Sequence, residues 1–284
     1  MRLKRLIADC IPDRLYLRIQ YYYHFRKWLN LHRPKTFNEK LQWIKLYDHN
    51  PVYTTMVDKV KVKDYVSSIV GAEHIVSTLG VWDSADKIDF NALPNQFVIK
   101  CNHDSHGVIV VKDKSLVDEN EIRKRLGKRL ASSGFSYGRE WPYKNVERKI
   151  IAEEFISDGH EDLIDYKVHC FNGQPKFILV CRDRFSKSGL KEDFFDISWN
   201  LIDVKRPGIP HGEILERPAE LEKMLELAEK LSRGVPFLRT DFYCVNGKVL
   251  FGELTLFPAS GFQKFEPEKC DREFGDWINL SDKR

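Results

Sequence analysis

An α+β architecture with antiparallel sheets is the fold class the sequence predicts, and three observations predict it. Two β-rich pairs are each closed by Asn-Gly, at Asn172-Gly173 and Asn246-Gly247. That dipeptide is the strongest short hairpin signal, because both turn positions take a positive φ. Helical patterning fills the first third and recurs near 118–131 and after Pro218, mixed with strands rather than alternating regularly with them. Finally, 42% of the 284 residues are hydrophobic and 31% charged, which supports a packed core and excludes global disorder.

The elements follow in order. Arg33-Pro34-Lys35 breaks the N-terminal helical stretch. Thr36-Phe37-Asn38-Glu39 then has capping-box spacing, with the Thr36 side chain accepting from the Glu39 amide and Glu39 reaching back to the Thr36 amide. Phe37, Leu41 and Ile44 follow at helical spacing. Past Asn50-Pro51, a second amphipathic helix is expected over about 52–69, with Met56, Val57, Val60 and Tyr65 apolar. Strand patterns begin near residue 75. Residues 97–100 and 108–111 flank the loop Cys101-Asn102-His103-Asp104-Ser105-His106-Gly107, and 149–156 reads as a strand ending in acids. Residues 165–171 with 175–182, and 237–245 with 249–256, form the two hairpins. Between them Pro218 opens a helix with Leu221, Met224, Leu225, Ala228 and Leu231 as its stripe. The chain divides into a basic helical region, 1–74, and two further segments, 75–156 and 157–284.

Composition removes several function classes. No apolar run approaches the roughly 18 residues of a membrane span, and the first residues lack the apolar core of a secretory signal. Six scattered cysteines without a C-x-x-C pair exclude a zinc ribbon and make a disulfide framework unexpected, so the cytoplasm is the expected compartment. A net charge of +4, with no recognisable module beside it, gives no reason to expect a nucleic-acid partner. The distribution says more. Through residue 45 there are eleven Lys/Arg against three acids, a balance of +8, which leaves −4 for the remainder. Tyr16, Tyr21, Tyr22, Tyr23, Phe25 and Trp28 are interleaved with this charge. The segment reads as a solvated helical face or as a surface for anionic lipid or an anionic polysaccharide, which would hold the protein at the inner face of a membrane.

Three constellations could carry chemistry. The last hairpin holds Asp241, Glu253 and Thr255 in otherwise apolar sequence. These acids either face water, pair with Arg239, or offer oxygen to Mg²⁺, which takes one or two carboxylates plus phosphate oxygens and water. A strict two-residue turn would put Asp241 opposite Gly252 and send the two carboxylates to opposite faces. A shared metal therefore demands a longer loop, 246–248, or a bulge. Second, the loop after Lys100 contains Ser105 and Gly107 and could form an anion nest. Its His103-x-x-His106 lacks further ligands at zinc-like spacing and reads as a surface pair. Third, Lys100 and Lys167 lie inside strand patterns and Arg182 and Arg184 follow, a set that fits polyphosphate and carboxylate. No P-loop, dinucleotide or nucleophile-elbow motif is present.

In this order the pieces resemble the ATP-grasp superfamily, and more closely its TupA-like branch, named for teichuronopeptide biosynthesis. The likeness runs from about residue 15 to 277. Its most specific stretches are RPKTFNEKLQW at 33–43, FVIKCNH at 97–103, DFY at 241–243 and GELT at 252–255. The resemblance implies an ATP-grasp fold whose antiparallel sheets sandwich the nucleotide. By it, Lys100 and Lys167 contact the phosphates of ATP under the loop of Asn102, His103, Ser105 and Gly107. Glu153, Glu154, Phe155 and Ile156 are the adenine-reading hinge, and Glu161 or Asp162 holds the ribose. Asp241 and Glu253 ligate Mg²⁺, with Thr255 where most superfamily members carry Asn. Arg182, Arg184 and Arg239 are the candidates for holding a carboxylate and its acylphosphate.

The implied chemistry is carboxylate–amine ligation through an acylphosphate, on a uronic acid of a capsular or cell-wall polysaccharide with an amino acid or amino alcohol as the amine. A sugar kinase or glycosyltransferase of the same pathway, or a non-catalytic polysaccharide-binding protein, are the alternatives.

Overall fold

The computed structural model describes residues 11–104, 107–132, 135–159, 162–184, 186, 189–213 and 215–280. The N-terminal part holds helices α1 (Asp13–Phe25), α2 (Phe37–Tyr47), α3 (Val52–Val57) and α4 (Lys61–Val70). A four-stranded sheet follows, built from β1 (Thr78–Trp82), β2 (Phe97–Cys101), β3 (Ile109–Val111) and β4 (Ile150–Glu154) in the order β1-β4-β2-β3. Helix α5 (Glu119–Leu130) packs on it. A five-stranded sheet comes last: β5 (Asp165–Phe171), β6 (Gln174–Arg182), β7 (Lys191–Asp196), β8 (Phe237–Val245) and β9 (Lys248–Thr255), ordered β7-β6-β5-β8-β9. Helices α6 (Leu221–Ser232) and α7 (Lys269–Asp276) complete it. All pairings within both sheets are antiparallel. Among the described residues no helix is long and apolar enough to cross a membrane. The five described cysteines are free.

Two cores organise this architecture. Ile88, Phe90, Phe97, Ile99, Ile122, Leu126, Ile150 and Ala152 close the small one, between the first sheet and α5. The larger joins the second sheet, α6 and α7 to the N-terminal helices through Leu17, Phe37, Leu41, Tyr53, Met56 and Val66. The helical region thus buries its apolar side against the second sheet.

The capping box forms as its spacing predicts: Thr36 accepts from the Glu39 amide, and Glu39 accepts from the Thr36 amide. The single helix expected over 52–69 is two helices. Asp58 ends α3 and its carboxylate accepts from the amides of Val60 and Lys61, which starts α4 in a new direction. The fully buried residues of α4 are Val62 and Val66; Tyr65 is partly buried and packs against the same core, and Val60 precedes the helix.

Helix α2 also carries a polar stripe into the interior. Asn38, Gln42 and Lys45 are buried along one face, and they hold the loop that leaves β9. Gln42 donates to the carbonyls of Ser260 (3.0 Å) and Gly261 (2.7 Å), and Lys45 donates to Ser260 at 2.9 Å. Asn38 donates to Gln263 and accepts from its amide. These bonds fix a turn in which Ala259 and Ser260 adopt φ of 47° and 54°, a conformation costing roughly 1–2 kcal/mol per non-glycine residue.

Helix α7 approaches the start of α2 so closely that a Cβ at Gly275 would lie 2.3 Å from the Lys35 carbonyl oxygen and 2.6 Å from the Phe37 amide nitrogen. Backbone cannot swing aside as a side chain can. Gly275→Ala is expected to lower stability by about 1–3 kcal/mol, seen as a lower denaturation midpoint with an unchanged slope. A wild-type midpoint would show that the helices can separate without cost.

Candidate active site

The register of the last hairpin decides whether its acids can act together. Val245 faces Lys248, so the Asn246-Gly247 turn has two residues, both at positive φ. The pairing then slips by one at Gly252, so that Asp241 faces Glu253 and Arg239 faces Thr255. The bulge alternative of the sequence reading is the one realised. Glycine suits that position because a Cβ would meet the Tyr243 ring at 3.0 Å and the Asp241 carbonyl at 3.2 Å.

The same row continues across the sheet, since Lys167 on β5 faces Asp241 on β8. Lys167, Asp241 and Glu253 therefore stand side by side on three adjacent strands, with side chains on one face. Lys167 donates to Asp241 at 2.7 Å and lies 3.2 Å from Asp165. Arg239 grips Asp241 with two bonds, of 2.6 and 2.7 Å. Arg184 reaches Asp165 at 3.0 Å. The result is an unbroken alternation, Arg184–Asp165–Lys167–Asp241–Arg239.

The opposing wall comes from the first sheet and the N-terminal helices. On β2 and β4 the small-core residues alternate with Lys100 and Glu153, whose side chains point the other way and pair. Lys63 of α4 joins Glu153 at 2.6 Å, and Lys59, from the α3–α4 junction, donates to Glu253 at 2.9 Å. Lys59, Lys63, Lys100, Glu153 and Glu253 line one small cavity, floored by Met56, Val62 and Leu254.

Electrostatics here are set by desolvation against pairing. Burial alone would raise the Asp241 carboxyl, yet Arg239 and Lys167 outweigh it and hold it at about 2. Glu153 is likewise buried, but Lys100 and Lys63 keep it below the usual range. Burial acts against Glu253 as well, and Lys59 overrides it. Lys63 responds mainly to burial, which lowers it against the pull of Glu153. All three carboxylates are ionised at neutral pH, the form in which they are oxygen ligands.

The remaining sequence candidates take varied places. Asn102 is fully buried and its amide is spent internally: it donates to Asp58 and the Glu147 carbonyl (2.8 Å each) and accepts from the Lys149 amide. His103 is a correction. It is buried rather than at the surface, 3.2 Å from the Ser132 carbonyl, and burial lowers its basicity. Gly107 packs tightly beside Asp104 and Arg129, which pair at 2.6 Å. Ser105, His106 and Glu161 lie outside the described residues. Glu154 ends β4 with its amide on the Ser77 carbonyl, and Phe155 and Ile156 begin the link to β5 that also carries the half-buried Asp162. Arg182 pairs with Asp193 at 2.6 Å, away from the Asp241 row. Among the described residues no three His, Cys, Asp or Glu side chains gather as a metal cluster. A cation here would rest on Asp241 and Glu253 and on oxygens brought by its ligand.

Sequence reasoning missed Lys59 and Lys63. Their i, i+4 spacing beside an apolar stripe was the available signal. It reads as an ordinary solvated helix face, but Lys59 lies at the break between α3 and α4 and meets Glu253 on β9, while Lys63 on α4 meets Glu153 on β4.

The family model described as TupA-like ATP-grasp matches residues 39–279. No curated protein matches. Among solved structures, D-alanine–D-alanine ligase from Bacillus anthracis complexed with ATP is 16% identical over 71% of this chain and 54% of its own, with a TM-score of 0.41. The ligase of the same name from Helicobacter pylori is 15% identical over 85% of this chain and 69% of its own, at 0.42. The ATP-grasp ligase PsnB complexed with minimal precursor, Mg and ADP is 13% identical over 77% and 57%, at 0.42. The chain spans little more than half the length of the first of these.

The three lowered carboxyls share one sign. Their stabilisation is complete above about pH 4.5 and is lost as the pH falls through the lowered values, for Asp241 toward about 2. In magnesium-free buffer the thermal midpoint is expected to drop between those limits, and less steeply in Asp241→Asn. At neutral pH that variant leaves the buried Arg239 without its carboxylate and Lys167 with Asp165 alone, a loss on the order of 3–5 kcal/mol. An acid limb unaltered by the substitution would assign the pH dependence elsewhere.

Proposed function

Since the chain belongs to the TupA-like ATP-grasp family, we propose that it is an ATP-dependent ligase that joins a carboxylate to an amine. The observation that carries this reading is the in-register pair Asp241 and Glu253, both ionised, of which Glu253 shares one cavity with Lys59, Lys63 and Lys100 while Asp241 is met by Lys167 and Arg239. Two neighbouring carboxylates opposite a set of lysines fit a divalent cation that bridges them to a polyphosphate.

The donor set fits both groups. Asp241 and Glu253 would hold magnesium, and Lys100, Lys63 and Lys167 would neutralise phosphate oxygens. Residues 154–156, with Asp162, lie on the link between the sheets, suited to the base and sugar of a nucleotide held there. When bound, magnesium ATP supplies an activated phosphoryl group. The protein's part is to position an acceptor carboxylate in line with that group and to stabilise the transferring charge. Arg239, whose planar fork already fits a carboxylate, would hold the acceptor in exchange for part of its bond to Asp241. Arg184 is the second candidate, and Arg182 the more remote. The acceptor carboxylate becomes an acylphosphate with release of ADP. The amine then attacks its carbonyl and phosphate leaves, giving the amide. For the substrate we propose a uronic acid of a capsular or cell-wall polysaccharide, with an amino acid or amino alcohol as the amine.

Calorimetry with ATP and magnesium should show binding by the wild type, and at least tenfold weaker binding by Lys100→Ala and Glu253→Ala, both folded by circular dichroism. Mass spectrometry after incubation with magnesium ATP, uronic acids and an amine pool should show a product lighter by one water than the two substrates together. ADP formed on a sugar alone, without amine-dependent product, would instead favour a kinase. Indifference to magnesium ATP would end the ligase reading.

A further inference from the structure

The first described helix is apolar on two sides, and only one is used. Tyr16, Leu17 and Tyr21 of α1 are buried. On the outer side Leu15, Ile19 and Tyr22 form a second stripe at i, i+4 and i+7, with Leu15 52% and Ile19 47% exposed. Trp28, 65% exposed, extends it by stacking on Tyr22 at 4.7 Å between ring centroids. Tyr23 lies at its edge, with the Arg26 guanidinium 5.6 Å from its ring centre. Arg14 and Arg18 run along one flank of the stripe and Arg26 follows the helix, all exposed.

We infer that this face docks on an anionic lipid bilayer, with α1 lying in the plane of the interface. Aliphatic residues in the centre, Trp and Tyr beside them and arginines on the flank match the layers of such a surface: acyl chains, interface and acidic headgroups. The charge decides between occupants. A second copy of this chain would bring the same basic face against itself, which like charges oppose. An anionic polysaccharide would satisfy the arginines and stack on the rings, but it has nothing to offer Leu15 and Ile19. A bilayer satisfies all three groups. The docking does not depend on the proposed reaction, because no residue of this face lies in the candidate active site.

The test uses the full chain and vesicles of phosphatidylglycerol mixed with phosphatidylcholine, against phosphatidylcholine alone. Sedimentation with the acidic vesicles is expected, fading as salt is raised, together with a blue shift in tryptophan emission that Trp28→Phe removes. Leu15→Ser with Ile19→Ser should weaken binding at least tenfold without altering the charge, and Arg14→Glu with Arg18→Glu should do so without altering the apolar stripe. These side chains are exposed, so circular dichroism should match the wild type. No sedimentation, or equal sedimentation with the neutral vesicles, overturns the inference. So does binding to dextran sulfate that exceeds vesicle binding and ignores the Leu15 and Ile19 substitutions, which assigns the face to a polymer. A dimer by light scattering that Ile19→Ser dissociates would overturn it in favour of self-association.

Discussion

A carboxylate removed from water costs several kcal/mol unless cations meet it, and Asp241, buried on β8 of the second sheet, is such a carboxylate. Much of the local architecture answers that cost. Lys167 must stand opposite it on β5 and Arg239 two residues before it on β8. Asp165 must then balance Lys167 and accept from Arg184. The slip at Gly252 turns Glu253 to the same face, where a second carboxylate would repel Asp241 were Lys59 not beside it. A hairpin without the slip would put Glu253 on the opposite face of the sheet from Asp241.

What the sequence reveals of this follows from how local each determinant is. The Asn-Gly turns and the capping box are fixed by a few adjacent residues, and the structure reproduces them where their spacing puts them. The choice between a three-residue loop and a bulge was open, since it depends on the Tyr243 ring and the Asp241 carbonyl crowding position 252. The break at Asp58 was missed for a different reason. Its carboxylate accepts from the Val60 and Lys61 amides that open the next helix, and Asn102, from the first sheet, donates to the same oxygen at 2.8 Å. Periodicity carries no trace of such a partner. The same holds for His103, whose burial depends on the Ser132 carbonyl.

The motif at 33–43 shows how a strong sequence signal can be read correctly and still be understood only in part. Its capping box and apolar positions were legible as a helix. Nothing in the pattern marks Asn38, Gln42 and Lys45 as interior residues, because polar residues at helical spacing ordinarily face water. They are buried instead, each satisfied by the backbone or side chains of distant segments. Lys45 shows the consequence: burial lowers its basicity to about 8, although Glu140 opposes the shift. Binding the 257–263 turn to α2 also fixes the end of β9. Thus the N-terminal helices determine where Glu253 and Thr255 stand, in addition to contributing Lys59 and Lys63.

These charges bear on how the cleft could exchange its occupants. Lys59, Lys63, Lys100, Lys167, Arg184 and Arg239 face Glu153, Asp165, Asp241 and Glu253. The cations exceed the carboxylates by two, so the site remains positive after every pair is made. On the proposed reading, magnesium and a triphosphate together bring net negative charge, and they bring it in complementary parts. The metal ion would take over the carboxylates now held by Lys59, Lys167 and Arg239, while phosphate oxygens would receive the released lysines and the acceptor carboxylate would receive Arg239. No buried charge would then be stranded at any step, because each broken pair yields two partners for the incoming pair. Such exchange favours long, flexible lysines over arginine where movement is greatest. The four cations that reach Glu153 and Glu253 from the helices and the first sheet, or Asp241 from β5, are all lysines, each on a different segment. Arg239, rigid and bidentate, would exchange Asp241 for the planar carboxylate of an acceptor, which the same fork fits.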